Sequence, residues 1–75
     1  MTDEDIMKLE QERETAEMTL TRISTEETQL LKYAMHTQKG ADLEAAFAKN
    51  DERRAAFNSW KDVMHRLLAA REHAS

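Results

Sequence analysis

The sequence predicts an all-α fold of two long antiparallel helices that turn back on each other near Gly40. Three observations carry this prediction. The 75-residue chain has no proline and a single glycine, Gly40, so nearly every other position can continue a helix. Apolar residues recur at alternating spacings of three and four on both sides of Gly40, which is the heptad pattern of packed helices. Charged residues make up 35% of the chain and aromatic residues only 5%, as is typical of coiled coils.

The first helix is predicted over about residues 3–39 of a single domain that spans 1–75. Thr2 and Asp5 have the spacing of a capping box, and the acidic residues there suit the positive end of a helix dipole. The residues predicted to face the second helix are the apolar Ile6, Leu9, Ala16, Leu20, Ile23, Leu30 and Ala34, with Arg13 and Glu27 at two polar positions.

The second helix is predicted over about residues 42–73, with Asp42 as its N-cap or first-turn acid. Its inward row is predicted to consist of Leu43, Ala46, Phe57, Trp60, Met64 and Leu67, with Asn50, Arg53 and Arg71 at polar positions.

Two segments carry possible capping residues inside the predicted helices, at 24–27 and at 50–52. A break at both would turn the hairpin into a bundle of three or four helices. Because the apolar spacing passes through both segments without a shift, the sequence favours continuous helices.

The turn position sets a pairing register that can be tested for consistency. It places Glu27 opposite Arg53, so that two unlike charges meet where each interrupts an apolar row. The same register places Ile23 opposite Phe57, Leu20 opposite Trp60 and Ala16 opposite Met64. It also sets the acid-rich start of the first helix beside the basic end of the second. We interpret Glu27 and Arg53 as a pair that fixes register, and not as a catalytic pair.

Apolar residues left outside these rows predict a protein-binding surface, because exposed apolar area on a small protein usually marks an interface. The predicted partner-binding residues are Ala56, Val63 and Ala70 on one flank of the second helix, Phe47 and Leu68 on the other, and Leu31, Tyr33 and Met35 near the turn. We expect docking on a helical partner, self-association into a four-helix bundle, or both.

Few residues point to catalysis or to a bound metal. The chain has no cysteine and no phosphate-binding loop, and His65 and His73 are too far apart for the two-histidine pair of a compact zinc site. Asp62 and His65 have a spacing used in di-metal bundles, but such sites need several inward carboxylates and only Glu27 is a credible one. The sequence therefore predicts no enzyme activity, no cofactor and no metal site.

The charge and the N-terminus bear on partners and location. A formal net charge of −4 argues against binding to nucleic acid, which needs a clustered positive face. No apolar run approaches the roughly 20 residues that span a bilayer. The acidic residues after Met1 do not resemble a signal peptide. We expect a cytoplasmic protein that does not insert into membranes.

The chain resembles the small helical-hairpin co-chaperones of bacterial type III secretion. The resemblance lies in its length, in Lys39-Gly40-Ala41 at the turn, and in the aromatic-bearing segments Phe57-Asn58-Ser59-Trp60 and Val63-Met64-His65-Arg66-Leu67-Leu68. It implies a heterodimer with a tetratricopeptide-like partner that keeps a needle subunit from polymerising in the cytoplasm. Small phage or plasmid regulators built as helical hairpins fit about as well. That alternative is a homodimeric helical regulator or inhibitor of a nucleic-acid-associated protein.

Overall fold

Two antiparallel helices of equal length make up the computed structural model, which describes residues 2–74 of the chain and the side chains of 2–73. Helix α1 spans Asp3–Thr37 and helix α2 spans Gly40–Ala74, and no strand occurs among the described residues. Each helix has 35 residues, about 52 Å at 1.5 Å per residue, and the hairpin measures 53 × 14 × 13 Å. The predicted hairpin is confirmed, and neither helix breaks at the segments 24–27 or 50–52.

The start of α1 is fixed by the predicted capping box. The Thr2 hydroxyl accepts a hydrogen bond from the Asp5 backbone N–H at 3.2 Å, and the Asp5 carboxylate accepts one from the Thr2 backbone N–H at 3.2 Å. Two backbone donors at the helix start are thereby satisfied.

The turn lies two residues earlier than the sequence predicts. Gln38 adopts the left-handed conformation with φ 57°, and its N–H donates to the Ala34 carbonyl at 2.8 Å. Gly40 is already the first residue of α2 and does not have a positive φ. The hairpin turn predicted near Gly40 is confirmed, but Gln38, and not Gly40, takes the left-handed position that glycine usually fills.

A side-chain hydrogen bond joins the two helices across the turn. The Thr37 hydroxyl donates to the Asp42 carboxylate at 2.5 Å. Asp42 lies in the first turn of α2, as expected of an acid near the positive end of the helix dipole.

The buried seam of α1 follows the predicted row, whereas the seam of α2 does so only in part. The buried apolar residues are Leu9, Ile23 and Ala34 of α1 and Ala46, Val63, Leu67 and Ala70 of α2. Leu43 and Phe57 were predicted to be inside but are 36% and 42% exposed, and Val63 and Ala70 take the inner row.

The rotation of α2 has a steric reason. Positions 46, 53, 60 and 67 of α2 belong to the inner face both in the prediction and in the structure. One possible second row lies three residues after each of these positions and the other lies four residues after, so the two rows flank them on opposite sides. The row with Ala56, Val63 and Ala70 carries smaller side chains than the row with Phe57 and Met64, and it lets the helices approach closely. Phe57, which the sequence predicts to lie inside opposite Ile23, is therefore left largely exposed.

The pairing register of charged residues is confirmed. Arg53 Nε lies 3.0 Å from Glu27 Oε1, as the turn position predicts. Near the termini, Arg66 pairs with Glu12 at 3.4 Å, and Arg71 pairs with Glu10. The acid-rich start of α1 therefore does run beside the basic end of α2.

We expect Gly40→Ala to stabilise the protein by about 0.4–1 kcal/mol, because alanine restricts the unfolded chain without straining the folded one. A Cβ atom at Gly40 would meet nothing within 4 Å. Urea unfolding at one fixed protein concentration would show a higher midpoint with an unchanged slope. Ala41→Gly, the reverse change next to it, should lower the midpoint. A loss of stability in Gly40→Ala would contradict the assignment of the turn to Gln38.

Candidate protein-binding surface

The centre of the seam holds a nearly buried carboxylate. Glu27 Oε1 forms an ion pair with Arg53, 3.0 Å from its Nε, and Glu27 Oε2 accepts a hydrogen bond from Asn50 Nδ2 at 2.5 Å. The Glu27 side chain is only 11% exposed. Among the described residues, no buried side-chain nitrogen or oxygen lacks a hydrogen-bond partner. Since both oxygens of Glu27 contact side chains of α2, this group holds the helices in register.

A second polar cluster lies at the edge of the seam. Lys49 Nζ donates to Glu26 at 3.0 Å and to Glu52 at 2.9 Å, and Arg22 pairs with Glu26 at 3.1 Å. The hydrogen bond from Lys49 holds the pKa of Glu26 below its ordinary value, with a smaller contribution from Arg22. The bonds to Glu52 and Glu26 raise the pKa of Lys49.

Trp60 is fixed in orientation by a polar contact on α1. Its indole Nε1 donates to Glu17 Oε2 at 3.1 Å, and Arg13 donates to the other oxygen of Glu17 at 2.6 Å. The Phe57 ring lies 5.8 Å from the Trp60 ring, centroid to centroid. The exposed Phe57 ring therefore packs beside the half-buried indole of Trp60.

The ion pairs near the termini show which flanks of the two helices share a face. Glu10 pairs with Arg71 along one side of the seam, and Glu12 pairs with Arg66 along the other. In an antiparallel heptad pair, the flank that contains Arg71 continues through Met64 and Phe57 towards the turn. On α1, the flank that contains Glu10 reaches Leu31 after three steps of seven residues.

One face of the hairpin therefore collects large apolar side chains from both helices. We call it the apolar face, and it consists of Leu31, Met35, Leu43, Phe47, Phe57 and Leu68. These residues are 36% to 71% exposed. Met64 lies on the same flank and is partly buried. Four of the six residues lie near the turn, so the apolar face is densest at that end.

The opposite face is charged and contains small side chains. It carries Asp5, Lys8, Glu12, Glu52, Arg66 and His73, together with the exposed alanines Ala45, Ala48, Ala55 and Ala69. An open groove of about 640 Å³ lies on this face near the termini, with Leu9 and Ala70 at its base. Both signs of charge line its walls. The two faces thus differ in the size of their apolar side chains, because the large ones gather on the apolar face and the alanines on the opposite one.

The predicted partner-binding residues divide into three groups. Four of them are brought together on the apolar face, namely Leu31, Met35, Phe47 and Leu68. Tyr33 is 58% exposed, but its heptad position is on the opposite face. The assignment of the remaining three to a free flank is wrong: Val63 and Ala70 are buried between the helices and Ala56 is half-buried, because their small side chains form the seam.

Sequence reasoning missed two residues of the apolar face, Leu43 and Phe57, by assigning them to the seam. The difference in side-chain size between the two competing rows of α2 is the feature of the sequence that could have identified them. A pair of helices in close contact favours the row with alanine and valine, which leaves the larger row outside.

Comparisons with family models, with curated proteins and with solved structures found no match to this chain. Among the described residues, no helix is long and apolar enough to cross a membrane. The same part of the chain contains no group of three or more histidine, cysteine, aspartate or glutamate residues arranged to hold a metal ion.

We expect Arg53→Met to lower the free energy of unfolding by about 1–3 kcal/mol, because the Glu27 carboxylate would lose its cation while remaining largely desolvated. A double-mutant cycle with Glu27→Gln should give a coupling of about 1–2 kcal/mol in urea unfolding. The exposed pair Asp62–Arg66, 3.2 Å apart on one helix face, is the control and should couple by only a few tenths of a kcal/mol. Equal coupling in the two cycles would contradict the register role of Glu27.

We expect stability to fall as the pH is lowered through and below about 4.5. The pKa of Glu26 is lowered by Lys49 and that of Asp5 by its hydrogen bonds with Thr2, so in this range the unfolded chain binds more protons than the folded one. Thermal unfolding followed across this range would show a weaker acid dependence in Glu26→Gln. Glu44→Gln, at an exposed position of α2, should leave the dependence unchanged. An unchanged slope in Glu26→Gln would contradict the contribution of the Lys49 pair.

Proposed function

We propose that this chain is a protein-binding module with a chaperone-like role. In this proposal, its apolar face docks on an apolar helical surface of a partner protein and shields that surface from premature assembly. The observation that carries the proposal is the concentration of Leu31, Met35, Leu43 and Phe47 on one face near the turn.

Large apolar side chains that face water are unfavourable, and burying them against a partner would be favourable. Phe47 is 59% exposed and Met35 is 71% exposed, and a contiguous group of such residues on a small protein usually marks an interaction site. Two helices side by side offer a ridged surface, and one or two further helices can complete a bundle on it. Methionine adds side-chain flexibility, which suits adaptable recognition.

The proposal assigns no catalytic step, cofactor or metal to the chain. Glu27, the buried charged residue of the described part, is engaged by Arg53 and Asn50 and has a structural role. A cytoplasmic location and a tetratricopeptide-like partner belong to the same proposal. They come from the resemblance to co-chaperones of type III secretion, and the apolar face is compatible with that class of partner.

We expect Phe47→Asp to abolish capture of the partner, because a carboxylate in the centre of the turn-proximal apolar residues would have to be desolvated on docking. Affinity capture from the source cells, with the bound proteins identified by mass spectrometry, would measure this.

The matched control is Ala48→Asp, which places the same charge on the adjacent exposed residue but off the apolar face. Only a protein lost with Phe47→Asp and retained with Ala48→Asp counts as a partner. The purified partner should then bind the wild-type chain and stay unassembled in its presence. If both variants keep every bound protein, the proposed surface is wrong.

A further inference from the structure

We infer that a second copy of this chain covers the apolar face. Two hairpins would pack face to face with their turns at the same end, and α1 of each would lie over α2 of the other in a four-helix bundle. The inference concerns the same surface as the proposed function. A partner that docks on the apolar face would displace the second copy, so the dimer is the form of the chain that is free of its partner, and it does not depend on the proposed function.

The small size of the intramolecular core is the first argument. Leu67 is the one large side chain that is fully buried among the described residues, and three of the buried residues are alanines, Ala34, Ala46 and Ala70. A two-helix seam of this kind gives a marginal core for a chain of this length. Burial of Phe47, Phe57 and Leu68 against a second copy would add large side chains to it.

The area of the face is the second argument. A face of 53 by 14 Å has a projected area of roughly 700 Å², and a standard stable interface buries about 800 Å² on each partner. The apolar face is therefore large enough for a specific dimer if most of its length is used.

Charge distribution along the face selects how the two copies align. On the same side of the hairpin as the apolar face, the half of α1 away from the turn carries Glu10, Glu14 and Glu17, and α2 carries Lys61 and Arg71 at a similar distance from the turn. With the turns together, a two-fold axis along the hairpin sets α1 of one copy over α2 of the other at equal height. Acidic positions then lie over basic ones.

The same alignment pairs the apolar residues nearest the turn. Leu31 and Met35 of one copy come over Phe47 and Leu43 of the other, and the two-fold axis repeats this contact. Isologous contacts of this kind are the usual basis of closed dimers.

The reverse alignment, with the turns at opposite ends, is less favourable. It sets α2 over α2 of the second copy about a midpoint near Phe57, so Arg54 of one copy meets Lys61 of the other. These like charges disfavour the reverse arrangement.

Light scattering across a concentration series tests the dimer. We expect the wild-type chain to have twice its 8.7 kDa mass at micromolar concentrations, and Phe47→Asp and Leu68→Asp to be monomeric. Ala48→Asp should remain dimeric, and circular dichroism should show that each variant stays helical. A wild-type chain that stays monomeric at all concentrations would overturn the inference. Capture of a partner in a Phe47-dependent manner would still support the proposed function in that case.

The alignment is tested by the distance between the two turns. The chain has no cysteine, so Lys39→Cys accepts a single spin label per copy. Turns at the same end lie within about two helix diameters, roughly 25 Å. Turns at opposite ends would be separated by about the 53 Å length of the hairpin. Pulsed electron paramagnetic resonance measures the distance between the two spin labels. A short distance supports the alignment with the turns together, and a long distance overturns it.

Discussion

The contact between Glu27 and α2 determines which residues meet along the whole hairpin. Apolar heptad rows repeat every seven residues, so an alanine-rich seam packs almost as well after a slip of one heptad. Such a slip would bring Glu27 against Ala46 or Trp60 and leave a desolvated carboxylate without a cation. Because that cost is large, the pair with Arg53 allows one register and excludes its neighbours.

Once the register is fixed, the rotation of α2 decides what the protein presents to its surroundings. α2 carries two rows that could face α1, and the inner position goes to the row with small side chains. The row with Leu43 and Phe57 stays outside as a result. The packing that joins the two helices is therefore also what leaves the large apolar side chains exposed, so the fold and the apolar face have one common cause.

Much of this fold can be predicted from the sequence, because its signals are local or periodic. The capping box of Thr2 and Asp5, the continuous helices and the pairing of Glu27 with Arg53 all follow from spacing. The position of the turn does not, since a glutamine at a left-handed φ is uncommon and Gly40 offers a more obvious breaker. The rotation of α2 also escapes prediction, because both rows are apolar and only the three-dimensional fit chooses between them.

The exposed apolar residues could also be predicted only in part, because the rotation of α2 decides which of them face outward. Residues well away from the seam, such as Phe47 and Leu68, are exposed whichever row of α2 turns inward. Residues that border the seam, such as Phe57 and Val63, exchange places when the helix rotates by about one position. The identity of a partner depends on chemistry outside this chain, and no local pattern specifies it.

The two-residue connection between the helices has a consequence for how the seam forms. The contact between Thr37 and Asp42 closes a loop of five residues, that between Asn50 and Glu27 a loop of 23, and that between Arg71 and Glu10 a loop of 61. The entropy lost on closing a loop grows with its length. Contacts beside the turn therefore lose the least entropy when they form, and contacts near the termini lose the most. Loop-closure entropy therefore favours closure from the turn outward, beginning with the part of the hairpin that carries Leu31, Met35, Leu43 and Phe47.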